Sequence, residues 1–107
     1  MLVKVPATIQ IGAHRYTIRF DKSCVDDGDH GSVNYRTQAI HINPERPASE
    51  KLEALLHECI HIASNVFSRK VEEDVICAIS EGLAQVMVGL GIELDWSDIW
   101  DLLERKV

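Results

Sequence analysis

The sequence predicts an α+β fold: a small antiparallel sheet of three to four strands, then two packed helices, then a short C-terminal helix. Three observations carry this expectation. Short alternating apolar and polar runs fill the first 42 residues, two longer segments between Leu52 and Gly91 have helical periodicity, and Asp95-Trp96-Ser97-Asp98 resembles a capping box. The 107 residues fit one domain spanning 1–107, and a 46% hydrophobic content is enough for a core.

Thr8 to Ile11 and His14 to Phe20 read as two strands joined by a tight turn at Gly12-Ala13. In the second, Tyr16, Ile18 and Phe20 alternate with Arg15, Thr17 and Arg19, as in a half-buried strand. Asp21 to Gly31 reads as a solvated polar loop. Its Asp26, Asp27 and Asp29 lack the calcium-loop spacing, since no Glu lies at the twelfth position from Asp26. Such a loop is a candidate flap.

Ser32 to Tyr35 and Gln38 to Ile42 read as a second hairpin. It is either a plain structural hairpin or a sheet edge to which an extended peptide could add. Asn43-Pro44-Glu45-Arg46-Pro47 ends the strand, and Ser49 is a possible N-cap for the first helix. That helix is expected to end near Ser68, with the second starting after it and ending around Gly89 or Gly91. Ile99, Trp100 and Leu103 have helical spacing after Trp96, which predicts the short third helix with both Trp residues as core anchors.

The chemistry lies in Leu52 to Val66. This segment contains His57-Glu58-Cys59-Ile60-His61, the pattern His-Glu-x-x-His. Residues four apart share a helix face, so His57 and His61 can aim two imidazole nitrogens at one zinc ion. Glu58, rotated about 100° from His57, suits a general base acting on a water held by that ion. The apolar residues Leu52, Leu55, Leu56, Cys59, Ile60, Ala63, Val66 and Phe67 form a separate stripe, with the polar trio off it.

A catalytic zinc site needs one more protein ligand. Glu81, twenty residues after His61, stands in the apolar run Val75 to Ala84 among the small residues Cys77, Ala78, Gly82 and Ala84. Small neighbours let two helices approach closely. A mid-helix Gly82, about 1 kcal/mol worse than Ala, suggests a packing or site reason. Glu73 and Asp74 are alternatives at a shorter interval, although acidic residues at a helix start already suit the macrodipole. Asp74 could also act as a partner to a ligand histidine.

With Leu55-Leu56-His57-Glu58-Cys59-Ile60-His61 and Glu81-Gly82-Leu83-Ala84-Gln85, the chain resembles gluzincin-type zinc metallopeptidases. It is most similar to the small zincin-like domains of bacteriophages and prophages that are themselves similar to the ImmA/IrrE metallopeptidases. The resemblance implies a zincin-like fold, Zn²⁺ held by His57, His61 and Glu81, and Glu58 as the catalytic base for hydrolysis of a protein or peptide substrate. Gln85 stands where larger gluzincins carry an Asp. No Tyr or His follows His61, so an oxyanion donor must come from Tyr35, Arg36, His30 or His41. The alternative is a catalytically inactive, zinc-stabilised interaction or regulatory domain; a third reading is a helical binding module without metal.

The net charge is −6 and no Lys/Arg-rich run occurs, which disfavours direct nucleic-acid binding. Cys24, Cys59 and Cys77 cannot all pair internally and fit no zinc-finger spacing. Cys59 and Cys77 read as small core residues, reduced in a cytosol. There is no signal-peptide pattern and no apolar run of membrane-spanning length, so a cytoplasmic location away from membranes is expected.

Overall fold

The computed structural model describes residues 1–101. Ten elements follow in order: β1 (Leu2–Lys4), β2 (Thr8–Ile11), β3 (His14–Phe20), α1 (Ser23–Asp27), β4 (Gly31–Asn34), β5 (Ala39–Ile42), α2 (Ala48–Val66), α3 (Glu73–Gly89), β6 (Glu93–Asp95) and β7 (Trp100–Asp101). The α+β class holds.

The main sheet is mixed, not antiparallel as expected. Its order is β2-β3-β5-β4, with β7 also pairing with β3. The β2–β3 and β4–β5 hairpins are antiparallel, but β3 and β5 run parallel in the register Thr17↔Ala39 to Phe20↔Ile42. The cause lies in the segment expected to be a loop. After β3 the chain turns through α1, capped by Gly28, and returns along β4, so that β5 meets β3 in the same direction.

The expected C-terminal helix is absent over its described part. Asp95 accepts the Ser97 N–H at 2.9 Å, and this side-chain turn satisfies the backbone without a helix. The chain pairs instead as strands: β6 runs parallel to β1, an element the sequence did not suggest, and β7 runs parallel to β3. Leu103 lies outside the described residues. Trp96 packs on Phe20 with ring centroids 5.5 Å apart, but Trp100 is 55% exposed and is not a core anchor.

The core gathers where the sheet meets α2. Tyr16 and Ile18 of β3, Ile40 and Ile42 of β5, and Ala54 and Ile62 of α2 are buried there. Each fully covered Ile contributes on the order of 1.5–3 kcal/mol. Arg19 is covered too, with Nη1 donating to the Ile18 carbonyl at 2.9 Å. The helix begins at Ala48 after Pro47, ahead of the expected cap Ser49.

The most buried residues of α2 are Leu52, Ala54, Glu58 and Ile62. Ala54, Glu58 and Ile62 fall four apart on one line, so Glu58 lies on the covered side of the helix and not on the opposite face that the apolar pattern suggested. Strand β4 approaches closely here. A Cβ added at Gly31 would meet the His41 carbonyl oxygen at 2.8 Å and the Ala54 Cβ at 3.6 Å. Helix α3 packs against α2.

Candidate metal centre

His57 and His61 stand one turn apart on α2, as their spacing requires, and their Nε2 atoms lie 3.1 Å from each other. The third group is Glu73, in the first turn of α3. Its Oε1 is 2.9 Å from His57 Nε2 and its Oε2 is 2.8 Å from His61 Nε2. Donor atoms of these three residues lie within 4.8 Å of one another, a set that could hold a metal ion. Two imidazoles and one carboxylate form a donor set suited to a divalent transition metal.

Glu81, the residue expected to complete the set, is not among the converging groups. The reason is the register of the helix hairpin. The first helix ends at Val66, Ser68 takes a positive φ of 56°, and the second helix starts only at Glu73. Ser64 fixes this connection: its Oγ donates to the Arg69 carbonyl and accepts the Val71 N–H. In the resulting antiparallel register Glu73 meets the His pair, whereas Glu81 lies about 12 Å further along α3. There it lines a cleft with Glu53, His57 and Cys77. Asp74 is also outside the converging set; its Oδ1 accepts the Val75 N–H at 2.9 Å.

Cys77 differs from its expected core role. It lines the same cleft and its Sγ lies 3.7 Å from Glu73 Oε1, where the carboxylate pushes its thiol pKa up together with desolvation, the larger cause. Cys59 is partly buried against the core, as expected. No Cys motif in the sequence could have flagged Cys77; only the helix pairing places it here.

Glu58 is 8% exposed and lines the cleft beside His57. Burial pushes its carboxyl up to about 7, with the charges of Glu73 and then Asp29 adding to the effect. A carboxyl poised there can both take and give a proton near neutrality.

Two clefts flank the cluster. The first, of about 330 Å³, includes His30, Gly31, His57 and Glu58; the second, of about 460 Å³, includes Tyr35, His61, Ser64 and Asn65. Among the described residues β4 is an outer strand of its sheet, and its line from Gly31 to Asn34 leads from one cleft towards the other. Of the four donor candidates, Tyr35 and His30 line these clefts. The Tyr35 pKa is raised by burial first and then by the Glu58 charge, which keeps its phenol protonated. His41 is engaged elsewhere, with Nδ1 2.6 Å from Asp21 Oδ2. Arg36 sits in the exposed β4–β5 turn.

No helix among the described residues is long and apolar enough to cross a membrane. No family model, curated protein or solved structure matches this chain.

Proposed function

We propose that the protein is a zinc-dependent metallopeptidase with His57, His61 and Glu73 as metal ligands and Glu58 as the general base. The observation that carries this reading is the convergence of three donors beside a buried carboxyl that adjoins His57 in sequence. Donors about 2.0–2.1 Å from one tetrahedral zinc stand roughly 3.3 Å apart. Here the two Nε2 atoms are 3.1 Å apart, each lies 2.8–2.9 Å from a different oxygen of Glu73, and one donor atom from each of the three residues falls within 4.8 Å of the others.

Zinc, when bound, supplies the Lewis acidity that polarises a scissile carbonyl and acidifies a water. The chain's own residues do the rest. Glu58 accepts the proton of the attacking water and passes it to the leaving amine. Tyr35, from the strand-turn side, donates a hydrogen bond to the developing oxyanion. The edge of β4, unpaired among the described residues, takes up an extended peptide and lays it from one cleft to the other. A zincin-like fold, and a protein or peptide substrate, belong to this reading.

The decisive experiment combines metal content with activity. Protein purified without a chelating column should carry about one zinc per chain and cleave unstructured peptides. Glu58→Gln should keep the zinc and lose turnover; turnover comparable to wild type refutes the base assignment.

One observation favours a non-catalytic, zinc-stabilised domain as the second reading. The Cys77 thiol lies 3.7 Å from Glu73, just outside the converging set, and a shift of its side chain could close the coordination sphere as a fourth side chain. Cys77→Ala separates the two. In the peptidase it leaves zinc affinity unchanged; in the structural site it releases the metal.

A further inference from the structure

We infer that the protein forms a two-fold symmetric dimer through the outer face of α3, the helices pairing antiparallel about Gly82 and Leu83. Val75, Ile79, Leu83, Val86 and Leu90 are all exposed, by 43% to 72%. With Gly82 they fall within an arc of about 100° on the helix and over a length of about 22 Å. Glu73, Cys77 and Glu81 lie on the opposite side of α3, towards the clefts. Among the described residues α3 packs mainly on α2, and the side chains of the stripe stand exposed.

The spacing of the stripe identifies its occupant. In an isologous pair, residue i meets residue j and j meets i. Reversed about the midpoint of Gly82 and Leu83, the stripe maps onto itself. Val75 meets Leu90 of the second copy, Ile79 meets Val86, and Leu83 meets Gly82. Every large apolar side chain thus finds an apolar partner, and Leu83 packs over a position with no side chain.

Among the described residues nothing packs against Gly82. A Cβ added there meets nothing within 4 Å, so the helix would accept Ala. A glycine in mid-helix is nonetheless about 1 kcal/mol worse than Ala. Close approach of a second helix at this point accounts for it.

Charge and area agree with a second copy. The stripe holds no charged residue in a chain of net charge −6, so nothing in it asks for a partner of complementary charge. Covering it on two copies removes roughly 1,000 Å² of surface, the least that a specific interface requires. Antiparallel pairing also opposes the two helix dipoles favourably. The interface leaves both clefts open and is independent of the metal reading.

The test is sedimentation equilibrium on the full chain over micromolar concentrations. Wild type should fit a monomer–dimer equilibrium. Ile79→Lys and Val86→Glu should each weaken it by at least about tenfold, since each buries an unpaired charge, with helical content by circular dichroism unchanged. Mixing the two variants should restore dimers, because position 79 of one copy then meets position 86 of the other as Lys against Glu. A wild type that stays monomeric throughout, whether the stripe is covered by the chain's own last residues or by another protein, overturns the inference. So does failure of the mixture to dimerise.

Discussion

The Nε2 atoms of His57 and His61 lie 3.1 Å apart, aimed at one point from adjacent turns of α2. Everything proposed for catalysis depends on what joins them there. The groups that could are Glu73, which touches both rings, and the more distant Glu81 and Cys77.

Glu73→Gln should therefore lower zinc affinity by more than about 100-fold, beyond the loss typical of a residue that only orients a ligand. Glu81→Gln should leave it almost unchanged. Competition against a chromogenic chelator measures both. Equal losses, or a loss confined to Glu81→Gln, would return the ligand role to Glu81.

Glu58 makes the metal-free protein pH-sensitive. Its carboxyl is raised from 4.5 to about 7 in the fold, so between those values the folded state holds a proton that the unfolded chain has released. Stability is then full below pH 4.5, falls as the pH rises towards 7, and stays low above it; the loss is on the order of 3 kcal/mol. In chelator-treated protein, Glu58→Gln should remove this decline and be more stable than wild type at pH 8. Urea unfolding at the two pH extremes would show it, and parallel curves for both proteins would count against the burial of an ionised Glu58.

Tyr35→Phe separates positioning from metal binding. The variant should keep its zinc and the KM for peptide, and lose about 100-fold in kcat, the effect of deleting one oxyanion donor. An unchanged kcat would move that role to His30 in the other cleft.

The Asp21–His41 pair ties the end of β3 to β5 at 2.6 Å, and the Asp21 N–H also donates to the Ile42 carbonyl. Burial works to raise the Asp21 carboxyl, but the Ser23 N–H and the His41 ring outweigh it, so its pKa is lowered from 3.8. A lowered carboxyl stabilises the fold above its ordinary pKa, and that stabilisation is lost as the pH falls through the folded value. Asp21→Asn should cost about 1–2 kcal/mol at pH 7, with the gap closing below pH 3.8. Thermal unfolding across that range checks it.

What the sequence determined by itself is local. The His pair is an i, i+4 relation inside one helix, fixed by helix geometry whatever surrounds it. The two hairpin pairs β2–β3 and β4–β5 follow from short-range alternation and turn residues. The side of α2 that is covered was harder to read: Glu58 lies on the buried line because strand β4, with Gly31, crosses there, and no periodicity of α2 alone contains that strand.

The tertiary structure decided everything that joins distant segments. Glu73, and not Glu81, stands against the His pair because the connection held by Ser64 sets the register of α3 on α2. Cys77 reached the cleft by the same register. The parallel pairing of β3 with β5, and of β1 with β6, joins strands separated by other elements. The residues at Trp96 to Asp101 had helical spacing, yet they close a turn and extend the sheet, because strand partners and the core were within reach. Local patterns record what each segment can form; which segments meet is set by the total burial and hydrogen bonding of the whole chain, a sum that no single stretch carries.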